Sequence, residues 1–296
     1  MHWQGVFPAI TTPFTPDLSI DFAFLSWHVD WLVQNGSKGI VALGSLGEGA
    51  TLSAAEKADV LKACVAAASG RVPVIAGIGT LSTADAVDLA HTAAASGCQG
   101  LMVLPPYVYK GDWRETEAHF SAVIRATHLS CMLYNNPIAY GTDVTPSQLV
   151  SLARHPNLHA VKESSTDVRR VTEIRAVLGE RLAIFVGVDD LIVEGVQAGA
   201  VGWIAGLVNA LPAESVRLFD LARAGKIAEA RVLYEWFLPL LRLDVVPKFV
   251  QLIKLAQQEA GAGSEAVRPP RLTIAGPERE AVLELIRERL AQRPKA

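Results

Sequence analysis

The chain has 296 residues, 50% hydrophobic and 19% charged, which excludes a disordered protein and leaves room for two domains or one α/β barrel. A formal net charge of -3 and a pI near 6.2 give no basic surface for nucleic acid or an anionic membrane. Cys64, Cys98 and Cys131 are too widely spaced for a disulfide framework or a CxxC pair, and read as core residues of a cytoplasmic protein.

Met1-His2-Trp3-Gln4 leads into an apolar run at 6–10 with no basic leader or cleavage site, so no signal peptide is expected. No uncharged run is long enough to span a bilayer. Pro13 in Thr11-Thr12-Pro13-Phe14 ends that first strand, because proline cannot donate to a central ladder. Helical spacing of Phe22, Leu25, Val29 and Leu32 follows, and Asn35-Gly36 stops it. The second strand, 39–43, ends in the turn Gly44-Ser45-Leu46-Gly47-Glu48-Gly49. Ser53 with Glu56 is a capping box for a helix to about 68.

Strands at 72–78, 99–104 and 131–134 follow, separated by helices from Ser82 or Thr83 to about 96 and near 112–126. Thr145-Pro146 then has the order of an N-cap and first helical residue. The sixth strand, 159–162, ends on Lys162. A helix at 167–178, a strand at 183–187, a helix from Asp189-Asp190 to about 198, a strand at 201–205 and a helix at 212–224 complete eight strand–helix units. Most strands are continuous apolar runs, as in a parallel sheet covered on both faces. Eight even units with no GxGxxG after the first strand favour a (β/α)8 TIM barrel over a doubly wound sheet. The barrel is expected over 1–224. A C-terminal three-helix extension is expected over 225–296, with helices near 227–242, 247–260 and 277–292. Trp236, Phe237 and Phe249 could pack on the barrel or face another subunit.

Chemistry in such barrels gathers at the C-terminal strand ends. Here those ends carry Thr11-Thr12, Gly44-Ser45, Tyr134, Lys162, Gly187 and Gly206. A lysine held in apolar surroundings loses its proton more readily, and the free amine can attack a ketone to form a Schiff base. Tyr134 can shuttle the protons that such chemistry moves. Ser45 and the backbone at Leu46, ahead of a helix, suit a substrate carboxylate. Each alone has an ordinary alternative: a surface lysine, a core tyrosine, a plain turn. Their place on one rim is what joins them. Glu48 reads as a structural carboxylate and Asp189-Asp190 as a helix N-cap pair. The seven histidines show no metal-ligand spacing, so no metal site and no cofactor are expected.

Gly44-Ser45-Leu46-Gly47-Glu48, Tyr134-Asn135-Asn136-Pro137 and Lys162-Glu163-Ser164-Ser165 resemble motifs of the dihydrodipicolinate synthase and N-acetylneuraminate lyase superfamily, along essentially the whole chain. The resemblance implies a class I Schiff-base lyase or hydro-lyase acting on pyruvate or a related 2-oxo acid. Lys162 would be the Schiff-base residue and Tyr134 the proton shuttle. Gly44, Ser45, Leu46, Thr12, Tyr140 and Ile204 would line the substrate site. It also implies a homotetramer, a dimer of dimers, with a small-molecule partner and neither nucleic acid nor membrane.

Departures from the synthase pattern bear on the substrate. Synthases of the family carry a second threonine in the GTTGE turn and a tyrosine after PPY or TPY, which make a hydroxyl relay; Leu46 and Val108 stand there. The arginine that clamps a second carboxylate is replaced by Ala139, followed by Tyr140. The chain is more similar to the branch that deaminates 1-pyrroline-4-hydroxy-2-carboxylate to 2,5-dioxopentanoate and ammonia. That likeness rests on the motifs above, on Gly187-Val188-Asp189-Asp190 and on Leu243-Asp244 through Lys248-Phe249-Val250-Gln251. Alternatives are a 2-keto-3-deoxy sugar acid aldolase or dehydratase using Tyr140, Ser164 and Asn209, dihydrodipicolinate synthase itself, and a non-catalytic keto-acid-binding barrel.

Overall fold

The computed structural model describes residues 1–294; the last two residues assigned to the extension lie outside the described ones. Eight strands, β1 (Gly5–Pro8), β2 (Ile40–Ala42), β3 (Val74–Ile78), β4 (Gly100–Val103), β5 (Ser130–Asn135), β6 (Leu158–Glu163), β7 (Ala183–Val186) and β8 (Gly202–Ala205), run parallel in one sheet. β1 pairs with β8, and a bridge between Ala9 and Val41 joins the β1 and β2 edges, so the sheet curls into a (β/α)8 TIM barrel with helices outside. The strands read as continuous apolar runs because nearly every strand residue is buried.

Inside the barrel, Phe7 and Phe185 meet edge to face at 5.2 Å, and Trp3 packs against both. Room for these rings comes from glycines: a Cβ on Gly39 would lie 2.5 Å from the Phe7 ring, and one on Gly202 would overlap Phe185. Phe185 is in register with Lys162, which is in register with Tyr134. Neighbours in register on a sheet share a face, so the lysine and the tyrosine stand side by side above this aromatic packing.

The helix starts follow their cap chemistry. Ser53 and Glu56 form the expected capping box of the helix Ala54–Ala68, and Thr145 with Gln148 forms another ahead of Pro146. Ser82, not Thr83, caps the helix Thr83–Ala95. A short helix, Pro137–Tyr140, follows β5 and went unseen in the sequence. Asn136 caps it by accepting the Ala139 N–H at 3.0 Å, and Pro137 sits in its first turn.

Beyond the eighth unit lie the helices Ile227–Leu241, Phe249–Glu259 and Gly276–Ala291. Trp236 and Phe237 are buried in this chain, and Trp236 Nε1 donates to Arg289 O at 2.8 Å. The extension is clipped to the barrel through Glu48. Lys254 Nζ lies 2.6 Å from Glu48 Oε1, and the Arg268 N–H donates to Oε2 at 3.0 Å. The Lys254 ammonium also donates to Ala266 O at 2.7 Å and lies 4.3 Å from the Phe14 ring centre. Glu48 adopts φ +53° to make this reach. Its partners lie more than two hundred residues away in sequence, so its role is tertiary rather than that of a local helix acid.

Candidate active site

A pocket of about 520 Å³ opens at the C-terminal end of the strands. It brings Gly44, Ser45, Leu46, Tyr134, Tyr140, Lys162 and Ile204 together. Thr12 is the exception among the expected site residues. It is buried behind the turn, where its hydroxyl donates to Gly47 O at 2.6 Å, so it braces the turn instead of facing substrate. Asn209 also stays out of the pocket. Its amide is consumed by Ala9 O, Gly206 O and the Thr11 N–H, which removes one polar group from a sugar-acid site. A larger hollow, about 980 Å³, lies at the opposite end of the barrel and contains none of the candidate residues.

Lys162 is 7% exposed, and its Nζ stands 3.9 Å from the centre of the Tyr134 ring. Among the described residues no carboxylate lies within ion-pair distance of it. Burial pulls its pKa down to about 8, against the opposing pull of the Asp244 and Asp189 carboxyls. At pH 7 roughly one amine in ten is then free, against about one in three thousand for an ordinary lysine. Gly187 makes the lysine's course possible: a Cβ there would lie 2.7 Å from Lys162 Cγ and collide with Cε and with Ser164 Oγ.

Tyr134 is pushed up to about 12 by burial, with a further upward push from Asp244, so the phenol holds its proton. Asn136 Nδ2 donates to its hydroxyl at 3.0 Å. The expected loss of the hydroxyl relay needs correction. Leu46 and Val108 carry no hydroxyl, as the sequence implied, but Val108 is 78% exposed and outside the pocket lining, so it adds nothing to the pocket, and hydroxyls assemble from other positions of the same chain. Ser45 Oγ hydrogen-bonds the Tyr140 hydroxyl. Tyr140 meets Tyr134 edge to face at 5.6 Å and Tyr107 at 5.2 Å. Burial raises all three phenols. The short helix after β5 is what swings Tyr140 into this cluster.

The turn after β2 supplies donors. Among the described residues no acceptor takes the Ser45 or Leu46 N–H, so both are free for a carboxylate. The turn runs first into a single 3-10 turn, Gly49–Thr51, and only then into the helix Ala54–Ala68, so the helix dipole expected beneath it is one turn removed.

Asp189 and Asp190 do not cap a helix; neither makes a side-chain cap bond. The Asp189 carboxylate instead reaches across to the end of β8 and accepts from Trp203 Nε1 at 2.9 Å, Gly206 N at 3.1 Å and Leu207 N at 2.9 Å. Burial still raises its pKa to about 6. Six pocket residues come from the extension, and the two charged ones were missed as site residues: Asp244, on the 3-10 turn Arg242–Asp244, and Arg271, in the loop before the last helix. Arg271 puts a guanidinium on the rim, 3.8 Å from Glu48 Oε2. Among the described residues no three His, Cys, Asp or Glu side chains group as metal ligands would. No helix there is long and apolar enough to cross a membrane.

A profile of the dihydrodipicolinate synthetase family matches residues 2–289. A 4-hydroxy-tetrahydrodipicolinate synthase of Sorangium cellulosum is 36% identical over 98% of this chain and 97% of its own. The crystal structure of dihydrodipicolinate synthase DapA-2 from Bacillus anthracis superposes with a TM-score of 0.93 at 28% identity, covering 97% of this chain and 98% of that one. YagE of E. coli K12, a prophage protein of the dihydrodipicolinic acid synthase family solved with pyruvate, gives 0.91 at 27% identity over 97% and 99%.

Proposed function

The chain belongs to the dihydrodipicolinate synthetase family, and from that premise we propose that it is a class I lyase whose Lys162 forms a Schiff base with a small 2-oxo or cyclic 2-imino acid. The observation that carries this is the Lys162 amine, buried, without an ion pair among the described residues and stacked over the Tyr134 phenol. The amine adds to C2 of the substrate while the free N–H groups of Ser45 and Leu46 hold its carboxylate. The Tyr134–Tyr140–Ser45 hydroxyls carry protons to and from the imine nitrogen and C3. A barrel that only bound keto acids would have no use for a neutral amine at this position.

Two reactions of this chemistry have support. The relatives' names favour condensation of pyruvate with a four-carbon amino aldehyde acid, as in 4-hydroxy-tetrahydrodipicolinate synthesis, better than the deamination that the sequence put first. Arg271 on the rim is a cation that could hold the second carboxylate of that reaction. Deamination of 1-pyrroline-4-hydroxy-2-carboxylate draws support from the pocket's departures. Ala139 stands where the clamping arginine would be, and Leu46, Ile138 and Val246 add apolar lining to the pocket, which suits one small substrate. The same reading extends to a homotetramer, which sedimentation would test.

The deciding experiment offers the purified protein the cyclic imino acid in one vessel and pyruvate with aspartate semialdehyde in another. Ammonia from the first supports deamination. Cyclic dicarboxylate from the second, without ammonia from the first, supports synthesis. No turnover in either, with no borohydride-trapped adduct on Lys162, would overturn the lyase reading.

A further inference from the structure

We propose that Asp244 is the proton donor to the oxygen on C4 of the Schiff-base substrate, one carbon beyond the C3 position that Tyr134 serves. The proposal deepens the lyase reading and rests on it, but it holds for either reaction named above.

Three observations carry it. Asp244 ends the 3-10 turn that leads out of the helix Ile227–Leu241 and lines the same pocket as Lys162 and Tyr134. Its Oδ1 is fully shielded yet has no hydrogen-bond partner among the described residues. Leaving a buried carboxyl oxygen unpaired is destabilising, so a site that retains one has a use for it. The backbone also makes way for it: at Gly206, just past β8, a Cβ would lie 2.5 Å from Asp244 Cγ and closer still to Oδ1. Finally, the other carboxyls near the pocket are committed. Glu48 is taken up by Lys254 and the Arg268 N–H, and Asp189 by Trp203, Gly206 and Leu207.

Burial, reinforced by the nearby Asp189, holds the Asp244 carboxyl well above the usual carboxylate range, so it carries the proton it would give. Lys162 moves the other way for the same reason, toward the free amine. The pocket therefore pairs a lysine whose free-amine fraction is raised with an acid that keeps its proton.

The step balances in both reactions. In elimination, the nitrogen lone pair of the enamine restores C2=N, the C2=C3 pair becomes C3=C4, and the C4–O bond breaks. The departing oxygen takes the Asp244 proton and leaves as water. In condensation, the C2=C3 pair forms the C3–C4 bond to the aldehyde carbon. The C=O π pair moves onto oxygen, which takes the same proton. Either way Asp244 is left as the carboxylate and recovers its proton from the water that hydrolyses the imine.

The test is Asp244→Asn in the full chain. Because Schiff-base formation and C3 deprotonation precede the proposed transfer, two readouts should match wild type: the borohydride-trapped pyruvate adduct on Lys162, and exchange of pyruvate methyl protons in D2O followed by NMR. Turnover in whichever reaction wild type runs should fall about 100-fold or more. Asp244→Glu, which keeps a carboxyl, should recover part of it and serves if the amide variant folds poorly. Turnover within threefold of wild type would overturn the proposal alone. Adduct and exchange falling in step with turnover would also overturn it, making Asp244 a positioning residue for Lys162. Absence of any adduct in wild type would bring down the Schiff-base reading and this proposal with it.

Discussion

Replacing Lys162 with methionine should abolish turnover while leaving the fold more stable at neutral pH. Methionine keeps most of the stem volume and deletes the ammonium. Burial lowers the folded-state pKa of Lys162 from 10.5 to about 8. Each pKa unit corresponds to about 1.4 kcal/mol, so the charged form is penalised by about 3 kcal/mol in the folded state. The sign follows from proton binding. Between pH 8 and 10.5 the unfolded chain holds this proton and the folded one does not, so wild type gains stability as pH rises through that window. The advantage of the methionine variant is therefore full below pH 8 and gone above 10.5. The opposing pull of the neighbouring carboxyls is already contained in that lowered value, so the expected gain is about 1–3 kcal/mol. Urea unfolding of both proteins at pH 7 and pH 10.5 measures it. A variant less stable than wild type by 2 kcal/mol or more at pH 7 would refute the reasoning and mark Lys162 as a paired, structural lysine.

Other consequences follow from neighbouring groups. In wild type, kcat/KM should climb tenfold per pH unit on the acid side and level off near pH 8, as Lys162 loses its proton; a flat profile from pH 6 to 9 would contradict the assignment. Tyr140→Phe deletes the hydroxyl that bonds Ser45 and should slow turnover about 10- to 100-fold while the pyruvate adduct still forms, which stopped-flow and mass spectrometry can separate. Gly187→Ala drives a methyl against Lys162 and Ser164; adduct formation should fail, with a stability loss of about 1–3 kcal/mol by urea titration. Lys254→Met strands the buried Glu48 carboxylate and should destabilise by about 3–5 kcal/mol, and adding Glu48→Gln should recover much of that.

The barrel was legible because its strands are buried on both faces, and such strands announce themselves as short apolar runs between helix caps. Lys162 and Tyr134 were legible because they sit at strand ends, where this fold places its chemistry. What the sequence concealed is tertiary. Asp189 and Asp190 carry the same local signal as an N-cap pair, and only the approach of β8 turns Asp189 toward Trp203 and Gly206. Tyr140 rides a four-residue helix, too short for any periodicity, so its partnership with Ser45 and the rebuilt hydroxyl cluster could not be read. Asp244 and Arg271 reach the pocket from an extension whose docking is decided by Glu48, Lys254 and Arg268. Thr12 was placed at the right rim, but its hydroxyl found the Gly47 carbonyl before any substrate could.

The most direct test of the central claim is to trap pyruvate with borohydride and map the adduct by peptide mass spectrometry. Lys254 is the built-in control: it too is buried and lowered to about 8, but its ammonium is committed to Glu48 and Ala266 O. The account predicts a single reduced adduct on the peptide carrying Lys162, absent from Lys162→Met. An adduct on Lys254, or none on any lysine, would contradict it.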